Sequence, residues 1–177
     1  GINAEYGEMG NNYSHYQWLF LGNQNSGKTQ ILYQVLLGQY VKTIPTIGFN
    51  YEELKIQKNT FQIWDLGGQK PLRALWKYHY LYKRGIVFVV DASNHNQQEI
   101  QSSKDELYAL VANEQLNGVP IVILANKQDI EGFFSATEIR QLFDLFMIQD
   151  RPIGVFECSA KNQVQLMEAI KWLACQV

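Results

Sequence analysis

Between an apolar run at 17–21, Gln-Trp-Leu-Phe-Leu, and a stretch of helical spacing that reaches about residue 37 stands Gly22-Asn23-Gln24-Asn25-Ser26-Gly27-Lys28-Thr29. The string matches G-x-x-x-x-G-K-[ST], in which a glycine-rich loop turns backbone N–H groups onto phosphate. The lysine reaches the outer phosphates and the terminal hydroxyl binds Mg²⁺. An apolar strand feeding such a loop into a helix commits the chain to an α/β fold, with strands and crossover helices alternating along the sequence. By itself the motif specifies a nucleoside triphosphate and leaves the base open.

The rest of the chain keeps that alternation. Strands are expected at 49–57 and 61–65, joined as an antiparallel hairpin through Lys58-Asn59-Thr60. The continuous apolar runs 85–91 and 120–126 read as central strands covered on both faces. Helical spacing occupies 98–111 and 137–146, a last strand 153–158, and a closing amphipathic helix 164–177. Residues 1–16 contain three glycines and three asparagines without helical periodicity and are expected to be flexible, which leaves one domain over 17–177. Met9-Gly10-Asn11-Asn12-Tyr13-Ser14 matches an N-myristoylation pattern only if translation starts at Met9.

Three further segments complete the chemistry. Asp65-Leu66-Gly67-Gly68-Gln69 ends an apolar strand with a carboxylate placed to hold a metal-bound water. Gly68 lacks a side chain, so its N–H can approach a terminal phosphate. Gln69 follows either as an amide that orients the attacking water or as a solvated side chain. Thr46, in the loop 43–48, can offer its hydroxyl to Mg²⁺ and its N–H to the terminal phosphate, so that the loop is ordered only while that phosphate exists. Asn126-Lys127-Gln128-Asp129 follows a buried strand at the edge where open α/β sheets bind ligands. The Asp129 carboxylate can accept from guanine N1–H and N2–H₂, donors that adenine lacks, while Lys127 lies along the base and Asn126 ties the base loop to the phosphate loop. An adenine would leave buried polar groups unpaired, which discriminates strongly. Cys158-Ser159-Ala160-Lys161 would close the pocket, with the Ala160 N–H toward the guanine oxygen and Cys158 in the core.

Charge and cysteine content exclude other classes. With 15 basic and 17 acidic residues there is no electrostatic footprint for nucleic acid. Two cysteines are too few for a disulfide framework, and no apolar run approaches a transmembrane span. These features point to a cytoplasmic protein. Cys175 is followed by two residues, one short of a C-a-a-X prenylation box. In the hairpin, Leu54, Ile56, Phe61 and Ile63 share the parity expected of the core, which sends Phe49 and Trp64 outward as a binding surface unless a bulge buries them.

Thr-Ile-Pro-Thr-Ile-Gly-Phe-Asn at 43–50, Trp-Asp-Leu-Gly-Gly-Gln at 64–69 and Asn-Lys-Gln-Asp at 126–129 resemble the Arf and Arf-like small GTPases, and the resemblance runs from about residue 18 to 177. It implies a P-loop G-domain with a six-stranded, mostly parallel sheet, one antiparallel strand and about five helices, binding GDP and GTP with Mg²⁺. Residue by residue, it assigns the phosphate and metal site to residues 22–29 with Gln30, to Thr46, and to Asp65 through water. Gly68 becomes the second phosphate sensor, and Gln69 with Lys28 the catalytic pair. Guanine falls to Asn126, Lys127, Asp129, Ser159, Ala160 and Lys161. The implied partners are a guanine-nucleotide exchange factor, a GTPase-activating protein and effectors in membrane or vesicle traffic.

Three departures stand out. The amino-terminal segment is not amphipathic, which leaves peripheral membrane association and cycling onto intracellular membranes open. His79 takes the place of the family's usual Tyr beside Phe49 and Trp64, and Lys77 stands where Arg is common. The reading is a slow GTP hydrolase working as a two-state switch; the alternatives are a GTP-binding scaffold with negligible hydrolysis and an adenine-nucleotide enzyme, which leaves 126–129 unexplained.

Overall fold

The computed structural model describes residues 14–37, 48–56, 58–159 and 161–176. The elements follow in the order β1 (Ser14–Gly22), α1 (Lys28–Leu37), β2 (Phe49–Ile56), β3 (Asn59–Leu66), α2 (Lys70–Arg73), β4 (Gly85–Asp91), α3 (Gln97–Ala112), β5 (Ile121–Asn126), α4 (Ala136–Leu142), β6 (Ile153–Glu157) and α5 (Gln163–Ala174). They build a six-stranded sheet in the order β2-β3-β1-β4-β5-β6. The β2–β3 pair is antiparallel and every other pair parallel. Strand order reverses at β1, whose neighbours are β3 and β4, so the carboxyl end of β1 opens onto the crevice where ligands of such sheets bind. The phosphate-loop motif sits at that point.

The two sheet faces account for the two kinds of strand pattern. β4 and β5 are buried from Gly85 through Val90 and from Ile121 through Asn126, because helices cover both sides. On one face Ile31, Leu32 and Val35 of α1 and Leu166, Ala169, Ile170 and Leu173 of α5 pack on Trp18, Phe20, Val87 and Val122. On the other, Leu107 and Leu110 of α3 and Ile139 of α4 pack on Leu19, Leu21, Phe88 and Ile123. Each such aliphatic side chain, fully buried, contributes roughly 1.5–3 kcal/mol.

Element ends have local causes. Asn96 caps α3 by accepting from the N–H groups of Gln98 and Glu99, and Ser135 with Glu138 forms a reciprocal capping box on α4. The helix expected over 137–146 stops at Leu142, because Asp144 takes a left-handed conformation (φ 48°) and a 3-10 turn, Leu145–Met147, follows. The Tyr108 hydroxyl is within hydrogen-bond reach of the carbonyls of Phe143 (2.8 Å) and Asp144 (2.7 Å) at that break. The Arg151 guanidinium, fully buried, donates to the carbonyls of Val111, Leu116 and Val119 and fastens the end of α3 to the entry of β5.

Two boundaries move. β1 starts at Ser14, three residues before the expected strand and inside the segment read as flexible, because residues 14–16 pair with 59–61 of β3 and Tyr16 stacks on Phe61 with ring centroids 5.5 Å apart. The hairpin turn sits earlier than Lys58-Asn59-Thr60: Asn59 and Thr60 are already in β3, and Asn59 pairs with Ile56. Residues 1–13, and the Met9 pattern with them, lie outside the described residues.

Candidate nucleotide site

The phosphate end is a loop held by its neighbours' backbones. Lys28 and Asp65 are buried and form an ion pair directly beneath the loop. Burial draws the Lys28 ammonium below its ordinary range, and the charge of Asp65 opposes that pull. The Thr29 hydroxyl stands 3.3 Å from the second Asp65 oxygen. A hydroxyl and a carboxylate at this spacing offer hard oxygens alone. Among the described residues no group of three or more His, Cys, Asp or Glu could hold a metal. That sparse donor set suits Mg²⁺, which keeps several waters and takes phosphate oxygens rather than a full protein cage.

The Asp65–Gln69 segment lies against the loop. The Gln24 N–H donates to the Gly68 carbonyl at 2.9 Å. A Cβ on Gly68 would meet the Gly22 carbonyl oxygen and lie 2.8 Å from the Asn23 carbonyl carbon, so only glycine allows this approach. The Gly67 N–H donates to the Gly48 carbonyl at 2.8 Å, linking the start of β2 to the end of β3, and the Trp76 indole N–H donates to the Gly67 carbonyl at 2.8 Å. Gln69 is the N-cap of α2 and its side chain makes no capping bond. Thr46 lies outside the described residues.

The base end is tied by side chains. The Asn126 amide donates to the Ser26 carbonyl (2.9 Å), and the Lys127 ammonium donates to the Asn25 carbonyl (2.6 Å) and to Asp91 (2.8 Å). Both carbonyls belong to the phosphate loop, so the two motifs form one unit. Asp129 receives a hydrogen bond from the Ser159 hydroxyl (3.1 Å) and pairs with the Lys161 ammonium at 3.2 Å. Burial disfavours its charge, but the bonds from Lys161 and Ser159 outweigh that and hold the carboxyl below its usual range. The two loops are joined through the Cys158 N–H to the Ala125 carbonyl and the Gln128 N–H to the Cys158 carbonyl. The Cys158 thiol is buried, which pushes it up to about 12 and leaves it an inert core group. Ala160 lies outside the described residues. Asp91 carries no motif signal; only its pairing with Lys127 reveals it.

The ADP-ribosylation factor family model matches residues 4–177. This chain belongs to the ADP-ribosylation factor family. ADP-ribosylation factor-like protein 1 of Caenorhabditis elegans is 40% identical over 159 residues, covering 90% of this chain and 87% of that protein. The protein of the same name from Drosophila melanogaster is 40% identical over 156 residues, covering 88% and 86% respectively. The structure of the Arl6 BBS3 small GTPase of Trypanosoma brucei with the bound nucleotide analogue GppNp is similar at a TM-score of 0.81 and 30% identity, covering 93% of this chain and all of that one. The chain is therefore an Arf-family small GTPase, a GTP hydrolase on a P-loop G-domain that binds GTP and GDP.

In this Arf-family GTPase the aromatic edge beside the switch segments differs from its sequence reading at one residue. Phe49 is 51% exposed and Tyr51 42% exposed. They pair across the hairpin with Leu66 and Trp64 and so share their face of the sheet. Phe49 packs against the His79 ring with centroids 5.2 Å apart. Trp64 takes the same face as Phe49 and Tyr51 but is less exposed. It is half-buried against the α3-side core, with Tyr51 edge-on to its ring and the Lys83 ammonium 4.1 Å over its face. Parity put it on the right side of the strand, but β1, and not an edge, lies next to β3. Burial, aided by the charge of Lys83, lowers His79 from its ordinary value. No helix among the described residues is long and apolar enough to cross a membrane.

Proposed function

We propose that this chain is a two-state switch that hydrolyses GTP slowly on its own and recruits effectors in the GTP state. The observation that supports the reading is the joining of Asn126 and Lys127 to the carbonyls of Ser26 and Asn25, which ties the segment that carries Asp129 to the loop that carries Lys28. Asp129 accepts from the two guanine donors, and a carboxyl held below its usual range stays an ionised acceptor at physiological pH. Lys28 leaves part of its pairing with Asp65 to meet the β- and γ-phosphates. The Thr29 hydroxyl, Thr46 and, through water, Asp65 would hold Mg²⁺, which when bound neutralises charge on those phosphates. Residues 22–27 with Gln30 contribute loop amides and side chains to the phosphates, and Ser159, Ala160 and Lys161 border the base.

Hydrolysis then needs a positioned water. Gln69, whose amide is not spent on capping α2, orients it. Gly68 and Thr46 report the γ-phosphate through their N–H groups. An activating protein supplies the missing cation, and an exchange factor opens the site. Effectors read Phe49, Tyr51, the exposed part of Trp64, and His79. A role in membrane or vesicle traffic rests on the family resemblance.

Single-turnover hydrolysis of preloaded GTP tests the assignment. Gln69→Leu is expected to keep GDP and GTP affinity while losing about a hundredfold or more in activator-stimulated rate. Equal rates for the two proteins reject the role of Gln69. Competition of labelled GDP by ATP as effectively as by GTP rejects the guanine site, and GTP left intact with every activator supplied makes the protein a GTP-binding scaffold.

A further inference from the structure

Helix α2 has no buried residue of its own, and at four residues it is far too short to be stable by propagation. It carries Gln69 at its N-cap, and the Arg73 N–H donates to the Gln69 carbonyl at 3.2 Å. Among the described residues, the side-chain hydrogen bonds that tie this turn to other elements come from Arg73. The Arg73 guanidinium, 9% exposed, leaves α2 and donates from Nη1 to the Asn23 side-chain oxygen in the phosphate loop (3.0 Å) and to the Ser102 hydroxyl on α3 (2.9 Å). Glu106 of α3 faces the same nitrogen at 3.5 Å. Arg73 lines a cavity of about 280 Å³ between the phosphate loop and α3, together with Gln24, Lys70, Asp91 and Asn94. Among the described residues its Nε has no hydrogen-bond partner.

We infer that Arg73 is a positioning residue for GTP hydrolysis: by bridging the phosphate loop and α3 it fixes the single helical turn that aims Gln69. The inference rests on the role proposed above for Gln69. The flanks of the turn are anchored separately. Upstream, Gly67 is held by Gly48 and Trp76 through its backbone; downstream, Trp76 is buried in the core; the turn between them has the Arg73 bridge. A planar guanidinium suits the task because it donates to separate acceptors in fixed directions, whereas a lysine presents one compact charge. Because the bridge ends on α3, a partner that displaces Ser102 or Glu106 would lower turnover without touching nucleotide.

The test is a double-mutant cycle read by single-turnover hydrolysis of preloaded GTP. Arg73→Ala is expected to slow hydrolysis about tenfold or more, since misplacing a reacting group by an ångström costs up to about a hundredfold. In the Gln69→Leu background the same change is expected to cost less than about twofold, and GDP dissociation is expected to stay within about threefold of the parent. A merely structural role would slow both backgrounds alike. Hydrolysis by Arg73→Ala at the parent rate, or equal slowing in both backgrounds, overturns the inference while leaving Gln69 in its role. Parent-rate hydrolysis by Gln69→Leu alone overturns both. Should Arg73→Ala not fold, Ser102→Ala and Glu106→Gln leave the guanidinium in place; slowing of about two- to fivefold that vanishes in Gln69→Leu supports the inference, and no slowing overturns it.

Discussion

The two ends of the nucleotide site are built from different materials. At the base end, side chains make the ties: Asn126 to Ser26, Lys127 to Asn25 and Asp91, Ser159 and Lys161 to Asp129. At the switch end glycine main chain enters as well: the Gln24 N–H meets the Gly68 carbonyl and the Gly67 N–H the Gly48 carbonyl, beside the Lys28–Asp65 and Arg73–Asn23 side-chain contacts. Side-chain bonds anchored in β5 and in the β6–α5 loop fix a geometry before any ligand arrives, which would preorganise the proposed guanine site. Backbone bonds between glycine-bearing segments can be exchanged for bonds to phosphate without moving a side chain out of the core. Under the proposed roles, specificity and switching would draw on different parts of one pocket.

That contrast can be broken from either side. The largest effect is expected at the base end, where Asp129→Ala removes the acceptor for two guanine donors and should weaken GDP binding by about a hundredfold or more, measured by fluorescent-nucleotide titration. Asn126→Ala comes next. It leaves the buried Ser26 carbonyl without its partner, a loss of about 1–3 kcal/mol, and should speed GDP dissociation roughly five- to a hundredfold. At the switch end Gly68→Ala should act differently. Its methyl group would meet the phosphate-loop backbone where Gly68 approaches it, so the preference for GTP analogues is expected to be lost while GDP affinity stays within about threefold. A large loss of GDP affinity in Gly68→Ala would erase the distinction between the ends.

The smallest effect lies on the aromatic edge. Burial lowers the Lys83 ammonium to about 8, although the Trp64 face partly favours its charge. Between about pH 8 and its ordinary value of 10.5 the unfolded chain therefore binds more protons than the folded one, so this group's contribution to stability rises with pH across that window and is least favourable below it. Melting temperatures of the parent and Lys83→Met, compared at about pH 7.5 and about pH 9.5, should differ in slope, with the parent gaining relative to the variant as pH rises.

Much of this architecture is legible in the residues because its motifs are contiguous strings with fixed chemistry. The phosphate loop, the Asp65–Gln69 segment and the Asn126–Asp129 segment each declare their partners by residue type. β4 and β5 declare themselves by unbroken apolar runs that only a two-sided sheet buries. The α4 break at Asp144 is not legible, since a left-handed residue inside helical spacing leaves no periodic trace. Nor is α2, whose four residues are shorter than any pattern that periodicity can detect. Arg73 and Asp91 were missed because their partners stand far away in sequence, at Ser102 and Lys127. Trp64 takes the face that alternation assigns to it, but its partial cover was not legible, because Tyr51 edge-on to its ring and the Lys83 ammonium over its face come from other parts of the chain.

The sequence by itself determined the fold class, the nucleotide chemistry and the family, because each is written in short-range order: apolar periodicity, a glycine-rich loop, and carboxylates and amides at fixed spacing. Tertiary structure alone decided which of these groups act together. The Lys28–Asp65 pair, the bridge from Arg73 to Asn23 and Ser102, and the packing of Tyr51 and Lys83 on Trp64 all join residues distant in the chain. Such contacts follow from strand order and helix placement, which bring side chains within hydrogen-bond reach only after the sheet has closed around β1.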